Sequence, residues 1–346
     1  MRLLVIPGDG IGPEITAATL AVLAAADRRF GLHLAPEEAV AGEASLRAYG
    51  TTLRPEVIAA ARRADGILFG PMSTYAYPDS ENPSRAFRKA LDLFANIRPA
   101  RTYPGVKAPV APFDLVVVRE NTEGFYADRN MEEGEAEMLV TPEVVISLRR
   151  ITRRACERIA RTAFRLAEGR RRKVTAVHKA NVLKRGDGMF LAACRAAAAE
   201  HPSVALEEVI VDAMAAHLVR HPGRFDVIVT TNMFGDILSD LTAELSGSLG
   251  LGGSLNTGEE HAMAQAAHGS APDIAGQDRA NPVSLVLSAA MLLRWHGERR
   301  GLPAFASAAQ AIEAAVEAAI AAGEGTPDIG GRNGTRAAGA AIAARL

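Results

Sequence analysis

The chain has 346 residues, 48% of them hydrophobic and 23% charged, with 39 Lys+Arg against 40 Asp+Glu, a formal charge of −1 and a pI near 6.7. At roughly 150 residues per domain this length predicts about two domains whose cores need neither disulfide nor structural metal, while the near-neutral charge and 5% aromatic content argue against nucleic-acid and anionic-membrane partners. Cys156 and Cys194 have no CxxC spacing for a disulfide framework or thiolate zinc site, MRLLVIPGDG is too short for a signal segment, and no stretch approaches the ~18 apolar residues of a membrane span, so a cytoplasmic, unanchored chain is expected.

A short apolar strand over 2–6 leads into Gly8-Asp9-Gly10-Ile11-Gly12-Pro13-Glu14 and a helix over 15–26. Strands over 66–69, 115–118, 173–178, 209–211 and 226–230 follow, alternating with Ala/Leu/Arg helical patterns, the longest of them over 142–168. This alternation predicts an α/β protein with much parallel sheet. Three strands stop at polar residues, namely Arg119-Glu120-Asn121, His178-Lys179-Ala180-Asn181 and Thr230-Thr231-Asn232, and ligands collect at such carboxyl ends. An acidic insert over 121–141 reads as a flap, an intersubunit arm or a solvated hairpin. Residues 245–280 read as a long Gly/Ser-rich loop or domain crossing before the Ala-rich closing helices. The basic run 169–173 lies where a helix ends, where cations complement the dipole.

The glycine turn has GxGxG spacing and lacks the third glycine of GxGxxG, and no clear acidic residue ends a second strand about 20 residues on. Its residues are compatible with a plain tight turn or with close backbone approach to a ligand. Arg85 and Arg88 are three apart on one helix face, and with Arg98 and Arg119 they suit a substrate bearing two or three carboxylates, which arginine forks match bidentately. Asp212, Asp236 and Asp240 have no nearby His or Cys, which favours a hard cation such as Mg²⁺ or Mn²⁺; Asp236 and Asp240 share a helix face at i and i+4, although Asp236 also reads as a helix N-cap. Tyr126 and Lys179, the latter one of only five lysines, follow strands that converge on one sheet edge and are candidate acid/base groups. The loop over 268–281, HGSAPDIAGQDRAN, carries an Asp suited to a ribose diol.

In order along nearly the whole chain, GDGIGPE (8–14), FRKALDLFANIRP (87–99), VVRENTEGFY (117–126), HKANVLK (178–184), VDAMAAHLV (211–219), TTNMFGDILSD (230–240) and HGSAPDIAG (268–276) resemble the isocitrate/isopropylmalate family of β-decarboxylating dehydrogenases. The resemblance implies a two-domain α/β fold with a large mixed sheet flanked by helices, not a Rossmann fold. It implies a large domain of 1–98 plus 251–346 and a small domain of 99–250 carrying the metal ligands, the catalytic Tyr and Lys, the arm and the dimer interface. Arg88, Arg98 and Arg119 would bind the carboxylates of the 2-hydroxy acid, with Ser84, Arg85 and Asn181 completing the substrate site. Asp212, Asp236 and Asp240 would hold Mg²⁺ or Mn²⁺. Lys179 would help remove the hydroxyl proton and Tyr126 would protonate the enol at C3; Asp212 is counted with them, and Asp212 and Lys179 are expected from the neighbouring subunit of a homodimer or tetramer. The cofactor would be NAD, held by Ile11, His268, Gly269, Ser270, Ala271, Asp273, Ile274 and Asn281, with Asp273 repelling a 2′-phosphate and so disfavouring NADP.

Two departures matter, the first for placement of the cofactor near the nicotinamide and the second for substrate specificity. Most relatives carry Glu-Pro-Val before the HGS triplet, where this chain has Gln265-Ala266-Ala267. Isopropylmalate enzymes place leucines before the first arginine, where this chain has Glu81-Asn82-Pro83-Ser84-Arg85. Arg85 leans the expectation towards isocitrate or homoisocitrate, with 3-isopropylmalate, tartrate and D-malate as alternatives. A catalytically silent regulatory subunit is the alternative of another class, and it has no chemical need for the intact set Tyr126, Lys179, Asp212, Asp236 and Asp240. A nucleotide-binding module without chemistry rests on little beyond the glycine turn.

Overall fold

The valine- and leucine-rich runs are strands covered on both faces, as their lack of polar alternation requires. In the computed structural model, which describes residues 1–126 and 136–346, Val116, Val117 and Val118 are all at most 4% exposed. Ten strands form one mixed sheet: β1 (Arg2–Ile6), β2 (Ala35–Glu38), β3 (Gly66–Phe69), β4 (Ala95–Arg101), β5 (Asp114–Glu120), β8 (Lys173–His178), β9 (Ala205–Ile210), β10 (Val227–Thr230), β11 (Leu255–Thr257) and β12 (Ala262–Gln265). Their spatial order is β2-β1-β3-β12-β11-β4-β5-β10-β8-β9. The four strands at one end are mutually parallel, the four at the other end are mutually parallel, and β11 and β4 join them through antiparallel pairings. β6 (Glu137–Thr141) and β7 (Val144–Ser147) form a separate hairpin.

Eleven helices are described: α1 (Gly12–Phe30), α2 (Glu43–Tyr49), α3 (Pro55–Arg63), α4 (Pro83–Ala90), α5 (Arg153–Glu168), α6 (Gly186–Glu200), α7 (Val211–Arg220), α8 (Asn232–Leu245), α9 (Val283–Arg300), α10 (Pro303–Ala321) and α11 (Thr335–Ala343). The apolar clusters divide by sequence. One core joins Leu3, Val22, Leu285 and Ile312 from both ends of the chain, and another joins Val118, Phe164, Val174 and Val229 from its middle. α10 is the one described helix long and apolar enough to cross a membrane. Here Ala308, Ile312, Val316 and Ala319 are buried in the core, which accounts for its composition.

Two sequence expectations are corrected. The helix expected over 142–168 begins at Arg153, where Thr152 caps it by accepting from the Ala155 N–H at 3.3 Å. Val144, Val145 and Ile146 instead form β7, with branched side chains that suit a pleated strand. The strand expected over 209–211 ends at Ile210, and Val211 opens α7, so Asp212 stands in the first turn of a helix. Of the insert over 121–141, residues 127–135 lie outside the described residues; the rest leads into the hairpin, whose Met138, Leu139, Val140, Val144, Val145 and Ile146 are all exposed.

Candidate active site

The glycine turn after β1 uses its freedom against protein rather than open space. Gly10 has φ of +57°, and a Cβ there would stand 2.0 Å from the Ser270 carbonyl oxygen. That approach lets the Ile11 N–H donate to the same oxygen at 2.9 Å, while Ser73 and Ser270 share a hydroxyl hydrogen bond of 2.9 Å. The buried carboxylate of Asp9 accepts from the Glu43 N–H, the Ser73 N–H and the Tyr77 hydroxyl. The turn thereby braces the 268–274 loop and brings Ile11 and Ser270 together. Burial pushes the Tyr77 hydroxyl up, and the adjacent Asp9 adds to the shift, so it stays a donor.

Within that loop, Ala271 adopts φ of +36°, a conformation that costs a non-glycine residue. Asp273 and Gly269 are exposed, and no neighbouring atom lies within 4 Å of a Cβ built at Gly269. The His268 Nε2 is a buried atom without a hydrogen-bond partner, and burial holds this imidazole below its ordinary pKa. Asn281 donates to Asp328 at 3.0 Å and accepts from the Val283 N–H, so its amide holds the base of the loop. An open, small-residue surface with an exposed carboxylate and an unpartnered imidazole nitrogen fits an adenosine-bearing cofactor in its donor and acceptor chemistry.

The second cluster lies where α8 crosses β4 and β5. α8 starts at Asn232 with Thr231 as N-cap, so Asp236 is inside the helix and the N-cap alternative is excluded. Gly235 permits the crossing, since a Cβ there would lie 2.6 Å from the Arg119 Cγ. Arg119 is 2% exposed; its Nε and Nη2 donate to the Asn232 Oδ1 at 3.1 and 2.6 Å, and its Nη1 pairs with Asp236. The Nη1 of Arg98 donates to Ser239 at 2.8 Å and to Asp240 at 2.9 Å, and lies 3.6 Å from Asp236. The Tyr126 hydroxyl donates to the Asp236 Oδ2 at 3.2 Å.

These contacts set the charges. Burial alone would raise the Asp236 carboxyl, but the guanidiniums of Arg119, Arg98 and Arg88 outweigh it and hold the group below the ordinary carboxylate range. Burial raises Asp240, against the pull of Arg98. The structure therefore brings Arg98, Arg119, Tyr126, Asp236 and Asp240 together around two carboxylates bridged by a guanidinium.

Asp212 stands apart. Its carboxylate pairs with the Lys179 ammonium, which lowers the Asp212 pKa, and both project from the edge where β8 ends. The Lys179 N–H donates to the wholly buried Asp187 at 2.6 Å, and Arg149 holds the other Asp187 oxygen. Asn181 is exposed on the same turn. Among the described residues no group of three or more His, Cys, Asp or Glu side chains is placed to hold a metal. The all-oxygen donors of Asp236 and Asp240, which the Arg98 guanidinium bridges, fit a hard divalent ion in their chemistry.

The remaining candidates lie on α4, whose N-cap Asn82 accepts from the Arg85 N–H at 3.2 Å. Arg85 is exposed, whereas Ser84 and Arg88 turn inward to Gln265, at 3.4 and 3.2 Å. Asn232, Ser239 and Gln265 are members of the site that sequence reasoning did not assign. Asn232 was within reach, since it closes the TTN stop after β10, and Gln265 stood out as a departure in its motif; the contacts of Ser239 and Gln265 become visible only when helix and strand are packed together.

A family model described as isocitrate/isopropylmalate dehydrogenase matches residues 2–342. The chain belongs to this family. It is 43% identical over 332 residues to the 3-isopropylmalate dehydrogenase of Archaeoglobus fulgidus, covering 95% of this chain and 94% of that one. It is equally 43% identical over 339 residues to the isocitrate/homoisocitrate dehydrogenase of Thermus thermophilus, covering 97% and 96%. The crystal structure of isocitrate dehydrogenase from Methylococcus capsulatus superposes with a TM-score of 0.89 at 40% identity, covering 99% of this chain and 98% of that one. The expected fold class holds, the protein is an oxidoreductase of the β-decarboxylating dehydrogenase type, and its substrate is a small hydroxy acid.

Proposed function

We propose that the protein is an NAD-dependent, Mg²⁺- or Mn²⁺-dependent enzyme that oxidises and decarboxylates a 2-hydroxy acid bearing a β-carboxylate, with isocitrate or homoisocitrate as the preferred class. The observation that carries this reading is the convergence of Arg98, Arg119 and Tyr126 on the Asp236–Asp240 pair. NAD at the 268–274 loop supplies the hydride acceptor, and a divalent cation at Asp236 and Asp240 supplies Lewis-acid polarisation of substrate oxygens.

The protein's own groups do the rest. Arg88, Arg98 and Arg119 bind and orient the carboxylates of the substrate. Lys179, in its neutral amine form and released from the ion pair with Asp212, takes the proton of the C2 hydroxyl, and Tyr126 gives its hydroxyl proton to C3 after CO₂ has left. Because Asp212 and Lys179 pair with each other outside the arginine cluster, they serve the site of a second copy. The exposed apolar hairpin β6–β7 is the surface that copy would cover, since an uncovered two-stranded ribbon is marginal in water. Asp273, exposed on the loop, favours NAD through its affinity for ribose hydroxyls and its repulsion of a 2′-phosphate.

The lean at C3 rests on α4. Ser84 and Arg88, which turn inward, are polar, Arg85 is exposed on the same helix, and Phe87 is buried in the core. A second reading, 3-isopropylmalate, is favoured by the names of relatives such as the Archaeoglobus enzyme. Initial rates of NADH formation with Mn²⁺ on isocitrate, homoisocitrate, 3-isopropylmalate, D-malate and tartrate, with NADP as control, separate the two. A higher kcat/KM for the tricarboxylates is expected; preference for 3-isopropylmalate would overturn the lean, and no turnover on any of the five would overturn the activity.

A further inference from the structure

Five arginines surround a concavity of about 380 Å³ at the end of the sheet opposite the 268–274 loop. β1, β3 and β12 run parallel to one another and start there, with Arg2 as the first residue of β1 and Asp65 and His261 just before β3 and β12. Their far ends lead to the glycine turn and the 268–274 loop. The five residues of β1, roughly 16 Å of strand, therefore separate this concavity from the candidate active site.

Arg62 and Arg63 close α3, and Arg299 and Arg300 close α9. Cations at a helix end ordinarily offset the macrodipole, which amounts to about half a negative charge per helix. Two helix ends and two carboxylates, Asp65 and Glu260, thus supply about three negative charges against the five guanidiniums. The N-terminal ammonium also acts on Asp65 and adds to the positive side. Asp65 is shared between Arg2 and Arg300, each at 3.7 Å, while Arg62 and Arg63 pair with no carboxylate among the described residues. On a chain of formal charge −1, an excess of about two positive charges is gathered in one hollow, and such a field draws anions.

The wall of the hollow carries the single tryptophan of the chain. Trp295 packs against the core formed from both ends of the sequence, and the Arg299 guanidinium lies 5.2 Å from its ring centroid. A ring anchored in this way is a firm platform that keeps Arg299 at the rim through a cation–π contact. Guanidinium forks match phosphate oxygens bidentately, and several of them around one hollow suit linked phosphates better than a single carboxylate. We propose that this concavity binds an oligophosphate chain, supplied by free polyphosphate or by a nucleoside triphosphate, at a site separate from the candidate active site.

The test titrates the full-length protein with inorganic tripolyphosphate, without NAD, metal or hydroxy acid, and follows the fluorescence of Trp295. Since no other tryptophan exists, binding of the same anion at the arginines of the candidate active site leaves this signal unmoved. A saturable change in emission is expected. R62Q/R63Q should raise the half-saturating concentration about tenfold or more, with a circular dichroism spectrum like that of the unaltered protein. R299Q, a single exposed change, should weaken binding in the same direction and decides the matter if the double variant does not fold. ATP as a second titrant separates the sources: half-saturation lower than with tripolyphosphate assigns the site to a nucleotide whose base adds contacts at Trp295, and an equal or higher value assigns it to the phosphate chain alone. No saturable change with either compound, half-saturation unchanged in the folded variants, or a change reproduced by sodium chloride at matched ionic strength would each overturn the proposal.

Discussion

Two groups of ionisable residues near the ends of β5 and β8 are built in opposite ways. Arg119, at the end of β5, is 2% exposed and every arm of its guanidinium that faces α8 meets an acceptor on Asn232 or Asp236. Lys179, just beyond β8, pairs with an Asp212 whose side chain is 68% exposed, and Val182 and Val219 nearby are 65% and 52% exposed. A buried charge that is fully partnered belongs to a site completed within its own chain. An exposed pair bordered by exposed apolar side chains belongs to a surface that awaits a partner. On the proposed reading, the carboxylate-binding half of the site and Tyr126 would lie on one protomer, and the Lys179–Asp212 pair on the surface it offers to the next.

The largest effect that could break this division is on activity. K179A and D236N should each lower kcat by about 10²- to 10⁴-fold, the range for a lost acid/base or charge-stabilising group. Co-expressed and purified as mixed oligomers, they should recover activity towards about a quarter of the unaltered rate, because half of the dimers pair unlike chains and each of those contains one intact site. Measured kcat of the mixture decides the matter. No recovery would place Lys179 and Asp236 in the same chain's site and remove the reason for the division.

A smaller effect, on stability, sharpens it. R119L removes a buried guanidinium that donates to Asn232 and pairs with Asp236, while Arg98 and Tyr126 still face that carboxylate, and should cost about 2–3 kcal/mol in urea-induced unfolding. K179M deletes an exposed pair and should cost less than about 1 kcal/mol. Equal losses for the two variants would mean that the exposure difference carries no energetic weight.

The sequence made some of this arrangement legible and hid the rest, for physical reasons. Asp236 and Asp240 could be placed on one face because the i, i+4 relation is local and Asn232 opens a regular helix. The three polar strand ends could be read because buried strands stop where their side chains turn polar. Asp212 was misplaced by the continuous apolar run Val209-Ile210-Val211, in which nothing local marks the switch from strand to helix at position 211. β7 was read as the start of a helix because its β-branched residues lack the polar alternation of a half-covered strand, whereas β6 fell in the insert for which a hairpin was one reading; both strands are exposed in the single chain. Gln265 could be noticed as a departure in its motif, but its three donors come from positions 84, 88 and 256, which only the approach of α4 and β11 to β12 brings together.

The smallest expected effect concerns pH and belongs to neither half of the site. His296 is 6% exposed, packs against Phe305 with ring centroids 4.9 Å apart, and burial lowers its pKa from 6.5 against the opposing charge of Asp65. Burial lowers His268 in the same direction. A histidine depressed in the folded state binds its proton more readily when unfolded, so the unfolded chain holds more protons just below pH 6.5 and stability falls as the pH drops through that value, levelling off below the folded pKa. The Lys179–Asp212 pair cannot produce this trend, because Asp212 is shifted downwards from 3.8 and its contribution is lost only at more acid pH. Unfolding free energy should therefore be level from pH 8 to 7 and decline below 6.5, by at most about 1.4 kcal/mol per pH unit for each buried imidazole. K179M should keep the full decline, and H296F, which fills the same apolar site without a proton to bind, should remove part of it. A decline that H296F leaves intact, or that K179M abolishes, would move the acid sensitivity from the buried imidazole to the exposed pair.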